Sequence, residues 1–122
     1  MATSGVRVAR VYDAPGPDEG ARVLVDRLWP RGLRKDDAPV DAWIKGVAPS
    51  DELRRWYAHD PARYDEFARR YRAELADEEH TGALAELREL VGRGPVILLT
   101  ATKDVSHSQA TVLADHLTEE KG

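Results

Sequence analysis

One short block offers a carboxylate, two guanidiniums and an indole: Asp26, Arg27, Trp29 and Arg31, directly after the apolar run Val23-Leu24-Val25 and closed by Pro30 and Gly32. Charged groups at the mouth of a core strand are costly unless they are paired or put to use. A guanidinium fork matches a phosphate or carboxylate, and Trp29 offers a flat wall beside it. A second polar set, Thr100, Thr102, Lys103, Asp104, Ser106 and His107, follows another apolar run, Val96 to Leu99. Lys103 would add a point charge there, and a helix opening at Ser106 would present free N–H groups to an anion. The chemistry is anion binding, with Asp26 and Asp104 as the candidates for acid–base work. Each group also has a plainer role. Asp26 and Arg27 would lock the strand end by pairing with each other or with neighbours, Ser106 would only cap a helix, and the tryptophans would be core.

These residues need elements to hold them. Residues 6–12 read as a first strand, ended by the turn signal Ala14-Pro15-Gly16-Pro17-Asp18. Residues 22–26 form a second strand, and Trp43-Ile44 is a brief apolar contact after a polar, irregular stretch. Ser50, followed by Asp51 and Glu52, predicts the cap and first turn of a helix that buries Leu53 and Trp56. Asp60-Pro61 opens a second helix with the stripe Tyr64, Phe67, Ala68, Tyr71 and Leu75. A third is expected over about 81–91, capped by Gly92. Pro95 to Leu99 is continuous in apolar character, as in a strand covered by helices on both faces. Ser106 to Gln109 has the spacing of a capping box that opens a last helix, burying Ala110, Leu113, Ala114 and Leu117. Strands that alternate with helices predict a compact α/β sandwich: a small, mainly parallel sheet flanked by helices, Rossmann-like. In such a sheet both polar sets open onto the same edge, the usual place for a ligand.

Composition narrows the classes. The 122 residues suit one domain spanning 1–122, and 42% hydrophobic with 33% charged residues describes a globular chain. No apolar run is long enough to span a membrane. The first residues lack the apolar core of a signal peptide, so a cytoplasmic location is expected. Without cysteine there is no disulfide or thiolate chemistry. No histidine or acidic spacing suggests a metal, and no cofactor is expected. Gly92-Arg93-Gly94 precedes a strand instead of following one, so it is no phosphate loop. The net charge of −4 argues against nucleic acid as a partner, yet Arg22, Arg27, Arg31, Arg34 and Lys35 face only Asp26 over that stretch. The tail from Asp115 to Glu120 is acidic.

Val-Asp-Arg-Leu-Trp-Pro-Arg-Gly (25–32) closely resembles the family called domain of unknown function 488, in its small YeaO-like branch. Agreement extends over Lys45, Ala48-Pro49-Ser50, Leu53-Arg54, Trp56, Phe67, Tyr71, Glu74-Leu75, Leu98-Leu99, Lys103-Asp104 and 110–113. The resemblance implies a small cytoplasmic α/β domain of bacterial type and no particular activity. The chain departs from it twice. Thr100 stands where the family commonly has an aromatic residue, and Ser108-Gln109 where it often has Asn.

Lys45, Ser50 and Arg54 form a further polar set that packing alone does not explain. Ser50 and Arg54 lie one helical turn apart on one face, and Arg54 would reach either Asp26 or a ligand. Two functions fit the residues. The first is a site for a small anionic compound, a phosphate or nucleotide-like ligand, held by Arg27, Arg31, Lys103 and the Ser106 terminus. The second is a non-enzymatic regulatory or nucleic-acid-associated module, with Trp29 stacking on bases. An oligomerising protein with aromatic contacts is a third and plainer reading.

Overall fold

A computed structural model describes residues 5–13, 20–34, 36 and 40–119. The turn at 14–18, Lys35 and Glu120 lie outside the described residues. Four strands, β1 (Val6–Arg10), β2 (Ala21–Leu24), β3 (Ala42–Trp43) and β4 (Val96–Thr100), form one sheet in the order β1-β4-β2-β3. Every pairing is parallel. Val96 lies opposite both Val6 and Ala21, and Leu99 opposite both Ala9 and Leu24. The expected α/β class holds, and β4 is an interior strand between β1 and β2. Beyond Leu24 the ladder continues for one bond, from Val25 N to the Leu99 carbonyl (3.0 Å). It releases the chain just before Asp26.

Four helices follow: α1 (Asp51–Tyr57), α2 (Tyr64–Leu75), α3 (Glu78–Arg93) and α4 (Gln109–Glu119). Ser50 caps α1 by accepting from Leu53 N at 3.1 Å. Asp60 caps the short 3-10 turn Pro61–Arg63 that leads into α2. Helix α3 begins earlier than the periodicity suggests. Asp77 accepts from the N–H groups of Glu79 and His80, and the helix runs through Gly92 to Arg93. No capping box opens α4. A 3-10 turn, Val105–His107, intervenes, the Ser106 hydroxyl donates to Asp104, and the Gln109 side chain is drawn to Asp26 instead.

The two faces of the sheet are covered differently. Val23, Val25, Val96 and Leu98 point to the helices and join Leu53, Phe67, Tyr71, Leu84, Leu87 and Leu113. Leu24, Ile97, Leu99 and Val11 point the other way. Among the described residues, that second side is covered by Trp29, Leu33, Val40 and Trp43 from the irregular 29–43 segment, with no helix. All five residues of β4 are buried, which suits its continuous apolar run, but among the described residues helices cover one of its faces and not both as expected.

The segment just before α1 is tied down from two helices. Tyr71 of α2 donates its hydroxyl to the Val47 carbonyl. Glu74 accepts from both the N–H and the hydroxyl of Ser50. His80 of α3 places Nε2 3.0 Å from the Ala48 carbonyl and Nδ1 2.9 Å from Asp77. Ala48 and Pro49 are thereby fixed as a wall.

Candidate functional site

A cavity of about 430 Å³ opens beyond the carboxyl ends of β2 and β4. Asp26, Arg27, Trp29, Arg31 and Arg54 line it, together with Pro49, Tyr57, His59, Phe67, Thr102 and Gln109. Asp26, Arg27, Trp29, Arg31 and Arg54, with Thr102 of the second polar set, are thus residues singled out by sequence that the fold brings together. Lys45, Ser50, Lys103, Asp104 and Ser106 are not among its lining. Lys45 stacks its ammonium on Trp43, 5.3 Å from the ring centre. Ser50 is committed to Leu53 N and Glu74. Lys103 is exposed on the following turn. Asp104 accepts from Ser106 at 2.9 Å and lies 2.8 Å from His107 Nδ1. The Ser106 hydroxyl and the His107 ring hold its carboxyl below the usual carboxylate range, so it is a poor proton donor.

Asp26 and Arg27 do not pair. Successive side chains at a strand end point to opposite sides, and each finds its own partners. Asp26 Oδ1 accepts from the Thr100 hydroxyl at 2.7 Å and from Gln109 Nε2, while Oδ2 accepts from Ala101 N at 2.8 Å. No cation is bonded to it among the described residues. Burial is the largest influence and pushes its pKa up, against the lowering pull of the Ala101, Thr100 and Gln109 hydrogen bonds.

Arg27 turns outward. Its guanidinium lies 3.5 Å from the Pro49 carbonyl and 3.5 Å from Asp51 Oδ1, and Arg54 holds that same oxygen at 2.9 Å. Asp51 thus yokes the two arginines, and its carboxyl is lowered first by Arg54 and then by Arg27. Arg31 makes no ion pair among the described residues, and its carbonyl accepts from the Tyr12 hydroxyl. Trp29 meets Trp43 edge-on at 5.4 Å, donates to the Leu33 carbonyl, and forms part of the wall. Tyr57 stacks on Phe67 at 4.2 Å and donates to the His107 carbonyl. Its pKa is pushed up to about 12, chiefly by burial, so it stays a neutral donor.

His59, Tyr57 and Gln109 were not legible as cavity residues. Gln109 reaches a carboxylate 83 positions away. His59 is delivered by backbone geometry: Ala58 and His59 both adopt left-handed conformations, with φ of 50° and 58°. Two such non-glycine residues in succession cost about 1 kcal/mol or more each. They turn the chain so that His59 reaches the cavity.

The buried acid gives the site a pH signature. A carboxyl whose pKa is raised by folding contributes stability that is fully present below its ordinary value of 3.8 and lost as pH rises through the raised folded value. Asp51, Asp77 and Asp104 are lowered and act oppositely, losing stability as pH falls below the ordinary range. Asp26→Asn keeps the hydrogen bonds if the Gln109 amide flips and the Thr100 hydroxyl turns to accept. Urea unfolding should therefore show Asp26→Asn gaining on the native chain at pH 7, with the gap narrowing as pH falls through the raised value toward 3.8. A gap that is constant with pH would mean that burial does not strain the Asp26 charge.

The family described as the inactive DUF488-N3 subclade matches residues 5–121. Uncharacterised proteins of Mycobacterium tuberculosis and Mycobacterium bovis are each 60% identical over 112 residues, 92% of this chain and 92% of theirs. The uncharacterised protein YeaO of Escherichia coli is 40% identical over 112 residues, 92% of this chain and 96% of YeaO. No solved structure matches.

Proposed function

This chain belongs to the DUF488 family, and we propose that it binds a small anionic compound, phosphate or nucleotide-like, without turning it over. The observation that carries the reading is the charge of the cavity wall: three guanidiniums, Arg27, Arg31 and Arg54, against one carboxylate, Asp26. Arg27 and Arg54 share the Asp51 carboxylate oxygen, and Arg27 also reaches the Pro49 carbonyl, which leaves further guanidinium N–H donors for a ligand anion. Asp26 is held by three donors from the sheet edge and α4, which suits a fixed recognition group better than a mobile proton carrier. The subclade that matches the chain is described as inactive, which favours holding over turnover. The case for a nucleic-acid surface is weakened because Arg63 is paired with Asp60, and Arg69 and Arg70 with Glu66.

A thermal-shift screen tests this. Ligand at about a hundred times its Kd adds about 2.7 kcal/mol, which moves the midpoint by several degrees at this chain length. Phosphate compounds are expected to stabilise the native chain and to lose most of that effect with Arg27→Ala and Arg31→Ala. The reading fails if no phosphate or carboxylate compound shifts the native midpoint, or if both variants respond like the native chain.

A further inference from the structure

We infer that the anion held in this cavity is joined to a planar heterocycle with an exocyclic amine, of the aminopurine monophosphate class, and that the amine donates to Asp26. The inference rests on the anion-site reading above and specifies the other end of the ligand. An ionised carboxylate has about four acceptor positions. Thr100 and Gln109 fill the two on Oδ1, and Ala101 N takes one on Oδ2, leaving one acceptor on a residue of the cavity wall. No cation is bonded to that carboxylate among the described residues. A ligand N–H satisfies the remaining position, whereas a ligand carbonyl meets acceptor with acceptor. The same cavity is also lined by the aromatic side chains of Trp29, Tyr57 and Phe67 and the rings of Pro30 and Pro49. Such surfaces suit a ring better than a flexible aliphatic amine. A volume of about 430 Å³ falls within the range of small-ligand sites.

The test is isothermal titration of the full chain with adenosine 5′-monophosphate, with purine riboside 5′-monophosphate, which has hydrogen in place of the amine, and with inorganic phosphate. Adenosine monophosphate is expected to bind about tenfold more tightly than the deaminated analogue, the scale of one hydrogen bond to a charged acceptor. With Asp26→Asn the neutral oxygen still accepts, so the preference shrinks to about twofold. If the two nucleotides bind the native chain alike, the amine contact is wrong while the anion reading stands. The same holds if phosphate binds and neither nucleotide does, or if the full preference survives Asp26→Asn. If none of the three binds, both readings fall. Should Asp26→Asn fail to fold, the native comparison decides alone.

Discussion

Gly20→Ala should destabilise the chain by about 3 kcal/mol or more, enough to remove much of the stability of a small domain. Gly20 has φ of +112°, and a Cβ built there would lie 2.4 Å from the Pro95 carbonyl oxygen and 2.8 Å from its carbon. The obstacle is backbone, and the same carbonyl accepts from Ala21 N at 3.0 Å, the bond that starts β2 against β4. Relief of the clash must loosen the register that carries Asp26 to the cavity. Gly82, within α3, has open space around its Cβ position, so Gly82→Ala should stabilise by about 0.5–1 kcal/mol. Chemical denaturation of the two variants checks the contrast. A Gly20→Ala midpoint close to the native one would mean that the approach to Pro95 is not a structural constraint.

Tyr71→Ala should cost about 3–5 kcal/mol, and Tyr71→Phe about 1–3 kcal/mol. Tyr71 is fully buried and stacks on Phe67 at 5.8 Å, so truncation opens a cavity at the centre of the helix side. The phenylalanine keeps that packing and removes only the donor to the Val47 carbonyl. That carbonyl belongs to the segment whose next residues wall the cavity, so Tyr71→Phe should also weaken anion binding. Unfolding midpoints and anion titration of both variants separate the effects. Equal stability of Tyr71→Phe and the native chain would remove the hydroxyl from the account.

The fold was legible wherever a local signal matched the final contacts. Ser50 with two following acids marked α1, and the unbroken apolar run marked β4 as an interior strand. The start of helix α3 is hidden in the sequence because its first turn, Glu78 to Thr81, is polar and the apolar spacing begins only near Leu84. The cap at Asp77 was the available signal. Ser106 and Gln109 match a local motif, but the Gln109 side chain instead extends to the half-buried Asp26 and donates Nε2–H to its carboxylate. β3 is two residues long and carries no periodicity. At the site, Asp26, Arg27, Trp29, Arg31 and Arg54 stood out by residue type. Which of them would be partners did not, because the choice depends on where the strand releases the chain and on Asp51 standing between two arginines. His59 owes its place to two left-handed backbone positions that no residue type announced.

The order of the strands also fixes when the sheet can form. β4 lies between β1 and β2, and each of those pairs with it. Until residues 96–100 are available, β1 has no neighbour, and β2 has only the two-residue β3. A growing chain must therefore carry an unpaired first strand through the synthesis of three helices. Bringing residues 6 and 96 together closes a loop of about 90 residues before any strand contact repays its entropy. Folding should be slower than a mostly helical chain of this length would suggest. Chain-length-dependent protease protection should appear abruptly, once the last strand has emerged, instead of building up from the N-terminal end.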